Sequence, residues 1–337
     1  MKTKILLRFA FFVACVGFVV ACNKNNANNP GSSTSTSANL ATQADDQTIV
    51  SNETDAVVND ANTTLNSQVS FAGSNSSNDA SSSGVTTMGN TEVNGNGGNV
   101  LGNLICDATV TVDTSAGQRI ITITYNGSNC RGNRIRTGVV VITIPVGVYW
   151  KNAGAVVSID IQNLKITRVT DNKSIVINGT KKVTNVSGGL LINLASLGTI
   201  THTITGQLTI TFDGGSQRDW SVSKQRVFTY DNGIVITTTG THTDSLSNTD
   251  VAEWGTNRFG TGFESLISQP KVIRQDCDFR LVSGENVVLR TDDVTTTITY
   301  GLDANGNPTS CPGTGTYYFK VVRTNANGIS FTKIMPY

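Results

Sequence analysis

The chain has 337 residues, with 25 Lys+Arg against 24 Asp+Glu, two His and six Cys. At roughly 150 residues per domain this length predicts one or two domains. A net charge of +1 with only 15% charged residues excludes a strongly basic nucleic-acid binder, and two histidines leave little room for His-based catalysis or a multi-His metal site.

Residues 1–21 read as an export signal. Lys2, Lys4 and Arg8 lead into an uncharged apolar run, Phe9 to Val20. The run is shorter than the roughly 20 apolar residues that a spanning helix needs. It ends in Val19-Val20-Ala21-Cys22, which resembles the lipobox of bacterial lipoproteins. The resemblance implies cleavage before Cys22, acylation of its thiol and a membrane anchor. Each buried acyl methylene contributes about 0.8 kcal/mol, so two or three chains hold durably. Cys15 lies in the discarded run and reads as a small apolar residue. Loss of Lys2, Lys4 and Arg8 takes the chain from +1 to −2.

Residues 22–39 are expected to be a lipidated, disordered tether. Asn23 to Ala38 is dominated by Asn, Ser, Thr and Gly, which bury too little apolar surface to offset the entropy of ordering. Residues 40–72 are a predicted helix. From Leu40 to Leu65 there is no Gly or Pro, and Ile49, Val50, Val57, Val58, Ala61 and Leu65 form a stripe with helical spacing. Asp45 or Asp46 would favour its start. The helix is expected to pack on the body; a partner-binding helix is the alternative. Residues 73–99, again rich in Ser, Asn and Gly, read as a second linker.

Residues 100–337 form a β-rich domain. Period-2 alternation of Val, Ile, Thr and Tyr is broken by Asn126-Gly127, Asn178-Gly179, Asp213-Gly214, Asn232-Gly233, Asn305-Gly306 and Asn327-Gly328, each a candidate hairpin turn. The clearest strand is Thr199 to Phe212, with Ile200, Ile204, Leu208, Ile210 and Phe212 on one face and Thr on the other. Gly138 to Trp150 and Ala155 to Val169 are also long. The expected class is all-β: a long-stranded antiparallel sheet, sandwich or open barrel, with one N-terminal amphipathic helix after the tether.

An internal duplication runs through this domain. Cys106-Asp107, a strand ending Ile123-Thr124-Tyr125, a turn and Cys130 are matched by Cys277-Asp278, a strand ending Ile298-Thr299-Tyr300, a turn and Cys311. In an exported chain four such cysteines read as disulfides, with three connectivities open. Pairing within each copy, Cys106–Cys130 and Cys277–Cys311, is preferred because each pair flanks an equivalent hairpin. A four-thiolate metal site would want the tight Cys-x-x-Cys spacing that is missing here, so no metal or other cofactor is expected.

The lipobox, the acidic helical segment and the Cys-flanked modules together resemble a family of secreted lipoproteins of Bacteroidota that carries no assigned activity. In that family a strand reading like Thr-Ile-Asp-Phe-Gly precedes the second cysteine; here the matching strands read Ile123-Thr124-Tyr125-Asn126-Gly127 and Ile298-Thr299-Tyr300-Gly301, with Thr in place of the acid. The likeness extends to Arg134–Gly138 and Gly179–Asn185. It implies lipid anchoring through Cys22 at the cell envelope, most simply the outer membrane.

Catalytic signals are weak. His202 and His242 lie on Thr-rich strands outside any Gly-x-Ser-x-Gly context, and His202 shares the parity of Ile200 and Ile204, as a partly buried, hydrogen-bonded residue would. Asp160, Asp213, Asp219, Glu253 and Glu264 show no paired spacing of the kind that glycoside hydrolysis needs. The expected role is therefore structural or binding: an interaction module for an envelope protein or polymer. The alternatives are a glycan-binding surface using Trp150, Trp220 and Trp254, and a lipid-binding carrier with an apolar cavity. The row Thr201-x-Thr203-x-Thr205 is compatible with an ice-binding surface but is equally what a half-wet strand looks like.

Overall fold

The computed structural model describes residues 31–73, 105–115, 117, 119–309, 315–324, 328 and 330–336. The signal segment, Cys22, residues 74–99 and Cys311 lie outside the described residues. Among the described residues no helix is long and apolar enough to cross a membrane.

Helix α1 runs Gly31–Ser67 and is followed by the single turn α2, Val69–Ala72. It begins inside the segment expected to be a disordered tether. That expectation weighed the segment's own apolar content alone. A helix already nucleated by the packed residues beyond it gains one hydrogen bond per added residue without a second nucleation cost.

The strands are β1 (Ala108–Asp113), β2 (Arg119–Ser128), β3 (Arg134–Ile144), β4 (Ala155–Arg168), β5 (Ser174–Asn185), β6 (Thr199–Phe212) and β7 (Gln217–Tyr230). They continue as β8 (Ile234–Gly240), β9 (Val251–Thr256), β10 (Gly262–Arg274), β11 (Arg280–Arg290), β12 (Thr295–Leu302), β13 (Tyr318–Thr324) and β14 (Ser330–Pro336). All fourteen join one antiparallel sheet in chain order, save that β8 and β9 share one position between β7 and β10. β8 pairs with the Lys271–Arg274 end of β10 and β9 with its Gly262–Leu266 end.

The sheet rolls around α1. The helix meets side chains from β3, β5, β7, β10 and β12, so strands face it from all sides. β6 shows the logic of each strand: Ile200, His202, Ile204, Leu208, Ile210 and Phe212 are buried, and the intervening threonines point outward. The helical stripe Ile49, Val50, Val57, Val58, Ala61 and Leu65 joins the same core. The helix packs on the body as expected, and does so from inside the roll.

Two of the Asn-Gly pairs are not turns. Asp213-Gly214 and Asn232-Gly233 connect β6 to β7 and β7 to β8, and Asn305-Gly306 lies between β12 and β13, but Asn126-Gly127 is inside β2 and Asn178-Gly179 inside β5. The physical reason at Gly179 is a bulge. Across β3, β4 and β5 the register slips beside Gly138, at Asn163 (φ 50°) and beside Gly179. Gly179 has φ 122°, and a Cβ there would come 2.3 Å from the Gln207 carbonyl oxygen; at Gly138 it would come 2.6 Å from that of Asn163. Such bulges increase local twist and bend, which a sheet needs in order to coil.

The duplicated modules are the three-stranded units β1–β3 and β11–β13, close to opposite ends of the sheet. Cys106 and Cys130 form a disulfide closing 24 residues of sequence, a loop that stabilises by about 3 kcal/mol on the chain-entropy model. Cys277 is also disulfide-bonded. The matched tyrosines point inward from both ends: Tyr125 donates to Asp60 Oδ2 at 2.8 Å, and Tyr300 meets Thr48.

Gly179→Ala is expected to lower the unfolding free energy by about 2–3 kcal/mol, combining backbone strain with a steric clash. Gly214→Ala, in a turn with no atom near its Cβ, serves as the control. Urea titration of the two variants checks this; equal midpoints would refute the bulge argument.

Candidate functional site

Charged side chains stand at positions where strand parity demands apolar ones. On β5, Lys181 shares the inward face with Ile175, Ile177 and Val183; on β7, Lys224 and Arg226 share it with Trp220, Val222 and Phe228; on β10, Lys271 is likewise buried. A buried cation must find a carboxylate or shed its proton, and α1 supplies the carboxylates.

Asp55 is the centre. Its Oδ1 lies 2.9 Å from Lys224 Nζ and 3.0 Å from Arg226 Nη2, and its Oδ2 lies 3.7 Å from Lys271 Nζ. Lys224 also meets Glu253 Oε1 at 2.6 Å, while Glu253 Oε2 accepts from Gln47 (2.8 Å) and Trp220 Nε1 (3.1 Å). Lys181 donates to the Thr54 carbonyl at 2.8 Å and Lys271 to Ser51 Oγ at 3.1 Å. Burial pushes Asp55 up, but the charges of Lys224, Arg226, Lys271 and Lys181 outweigh it and hold the carboxyl far below its ordinary value. Four cations share two acids; Asp55 and Glu253 raise Lys224 despite its burial, and the excess falls on Lys181 and Lys271. Burial, against the pull of Asp55, leaves Lys181 pushed down to about 7 and Lys271 to about 8.

Further pairs run along the helix. Arg134 holds Glu53 at 2.7 Å, and Arg136 bridges Asp60 (2.8 Å) and Asp107 (2.6 Å) while lying 4.4 Å over the Tyr125 ring. Nearer the start of α1, Asp45 meets Arg168 and Lys173 at 2.7 Å each, and Asp46 meets Lys173 at 2.7 Å and Arg258 at 2.5 Å.

One side of the helix is not covered in this way. Asn52, Ala56, Asn59 and Thr63, spaced as one helical stripe, border a cavity of about 890 Å³. Opposite them stands an apolar wall of Leu191, Phe228, Ile234, Ile236, Ile273 and Phe279. Most of these belong to a second hydrophobic cluster, separate from the main core. The remaining sides are the β2–β3 turn with Arg131, Arg134 and Arg136, the β10–β11 connection with Asp278 and Arg280, and Tyr317 ahead of β13. The volume falls within the usual range for small-molecule sites, and apart from the apolar wall the lining is mostly polar and charged.

The tryptophans do not form a platform. Trp150 and Trp220 are 1% and 2% exposed, with their indole N–H groups donated to Asn62 (2.9 Å) and Glu253 (3.1 Å). Their faces are closed to an external sugar ring, which corrects the expectation for these two. Trp254 is half-buried, with its ring stacked on His242 at 4.2 Å. His202 is buried between Trp150 and Phe228; burial, then the charge of Arg226, pushes it down to about 3. Its Nε2 has no hydrogen-bond partner among the described residues, so the expected hydrogen bond at that atom is not made. Asp213 pairs with Arg258, Glu253 with Lys224, and the five acids considered from sequence do not converge on one cleft. Among the described residues no cluster of His, Cys, Asp and Glu is placed to hold a metal ion. The buried cations escaped sequence reasoning, although a lysine on the apolar parity of a strand, opposite an acidic helix, was the available signal. Compared with protein families, curated proteins and solved structures, the chain matches none.

The lysine shifts fix a pH dependence. Between pH 7 and about pH 10 the unfolded chain holds more protons on Lys181 and Lys271 than the folded one, so stability rises with pH across that window. Above it the sign reverses, because burial and Asp60 raise Tyr125, and burial raises Tyr300, so that unfolding releases their protons. Lys181→Met flattens the rise without loss of stability at pH 7, whereas Asp55→Asn lowers stability by about 3–5 kcal/mol by leaving buried cations uncompensated. Urea unfolding at several pH values, followed by tryptophan fluorescence, measures both; a flat profile in the parent protein would contradict the assignment.

Proposed function

We propose that the protein is a lipoprotein anchored at the cell envelope through acylated Cys22, and that its helix-threaded β-roll is a binding module rather than an enzyme. The observation that carries the binding role is the cavity beside α1, open between an apolar wall and a rim rich in arginine. The interior acids are each engaged by buried cations, an arrangement suited to holding a scaffold rather than to exchanging protons with a substrate. Of the roles open to an envelope binding protein, capture of a guest within the cavity has more support than an external glycan platform, since Trp150 and Trp220 are enclosed. The helix fills the axis of the roll, which limits the guest to what the remaining volume admits. Lipid anchoring is supported by the Val19-Val20-Ala21-Cys22 segment alone.

Two measurements test this reading. Cys22→Ala is expected to block acylation and processing at residue 22, so that the mass of an acylated peptide starting there disappears. Native mass spectrometry of protein purified from its own host is expected to show a bound small molecule; an empty cavity, with no uptake of added amphiphiles, would overturn the binding role.

A further inference from the structure

The cavity lining holds the acids Glu53, Asp55, Asp60 and Asp278, and its arginines divide into two groups. Arg134 is paired with Glu53, and Arg136 with Asp60 and Asp107. Arg131 and Arg280 form no ion pair with any described residue. Arg131 is exposed on the β2–β3 turn, directly after the disulfide-bonded Cys130. Arg280 opens β11, donates one Nη1–H to the Gly315 carbonyl and lies 5.4 Å over the Tyr317 ring, so its guanidinium is held by packing while its other N–H groups remain available. The two arginines come from opposite ends of the sheet and border the same opening. Desolvation and then the like charge of Arg280 lower the Arg131 guanidinium from its ordinary value; Asp278 opposes this only in part. Two cations brought together without a bridging carboxylate leave a place for an anion with several acceptor oxygens, which guanidinium forks suit. Behind them stand Phe279 and Ile273, leading to the apolar wall, and across from that wall Asn52 and Asn59 offer amide groups.

We infer that Arg131 and Arg280 form the head-group site of the cavity, and that its guest is an amphipathic anion: a carboxylate or phosphate held at the rim, with an apolar body of single-chain lipid size lying along the half-buried Ile273 and Phe279. This rests on the binding role proposed above and names the chemistry of that same site. The apolar wall provides affinity without direction, and the arginine pair fixes which end of the guest faces out. A neutral amphiphile of equal length gains only the first of these.

The test uses the mature chain from residue 22 onward carrying Cys22→Ser, so that its own acyl chains do not compete. Decanoate, decyl phosphate and decanol, all below their micellar concentrations, are titrated calorimetrically. The expected result is that at least one anion binds tenfold or more tightly than decanol. The stronger of decanoate and decyl phosphate then distinguishes a carboxylate from a phosphate head. Arg131→Gln and Arg280→Gln are each expected to weaken the anions fivefold or more while leaving decanol unchanged. Arg131 is exposed, so its variant serves should loss of the Arg280 contacts disturb the fold. Equal binding of anions and decanol, unaffected by either variant, would overturn the head-group assignment and leave the cavity as a binding site. Failure of all three probes to bind would overturn the cavity reading itself, and the assignment with it.

Discussion

The structure depends on a carboxylate inside a β-roll. Asp55 stands where Lys224, Arg226 and Lys271 converge, with Glu253 as the only other acid in contact with Lys224 among the described residues. Buried ion pairs contribute little net stability compared with apolar packing, but breaking one is costly, so their effect is selective. The apolar stripe of α1 cannot set the register by itself. Ile49-Val50 and Val57-Val58 are the same pair eight residues apart, and the stripe continues at Leu65. A slip of one turn would bring Ser51 or Asn59 to the position of Asp55, and a slip of eight residues would bring Gln47 or Thr63. All four are neutral. A one-turn slip puts Glu53-Thr54 or Asp45-Asp46 where Ile49-Val50 stand, an eight-residue slip can keep Val57-Val58 there, and every one of these registers strands the sheet's cations.

A sheet that must reach such a helix from every side has to bend more than regular pleating allows. The slips beside Gly138, at Asn163 and beside Gly179 form a line of bulges across three neighbouring strands, and the missing side chains of the two glycines let the backbones approach. The duplicated modules complete the roll. Tyr125 and Tyr300 occupy equivalent places in β2 and β12 and reach α1 at Asp60 and Thr48, six positions to either side of Thr54. The repeat is thus a pair of matched grips on one helix, each braced by a disulfide-bonded cysteine at the start of its module.

Much of this was legible in the residues. Period-2 alternation located β6 from Thr199 to Phe212, the helical stripe located the packed part of α1, and the matched Cys-Asp and Thr-Tyr elements located the two modules and the Cys106–Cys130 bridge. The relation between helix and sheet was not legible. The apolar stripe marks one packed face, but the Asp, Asn and Thr on the other faces of the helix become compatible with burial only opposite particular partners far along the chain. Lys181, Lys224 and Lys271 drew no reading for the same reason. Asn178-Gly179 reads as a turn because the same tolerance of positive φ serves both hairpins and bulges, and a local pattern does not separate them, whereas Asn126-Gly127 is paired in regular register inside β2.

The cavity follows from the same division of labour along the helix. Where α1 carries acids, long lysines and arginines cross from the sheet and fill the gap; where it carries β-branched and apolar residues, the inward faces of the strands pack against them. At Asn52, Ala56, Asn59 and Thr63 it carries short side chains without charge. Being uncharged, they form no ion pair with the sheet, and they face the region where the β2–β3 turn approaches the β10–β11 connection without strand pairing between them. Arg226 closes one flank of this gap by donating to Asn59 Oδ1 at 2.8 Å, which ties the cavity's polar side directly to the Asp55 cluster. The wall and the ion network therefore share a side chain. A guest that pressed on Asn59 would act on Arg226 and, through it, on the carboxylate that aligns the helix.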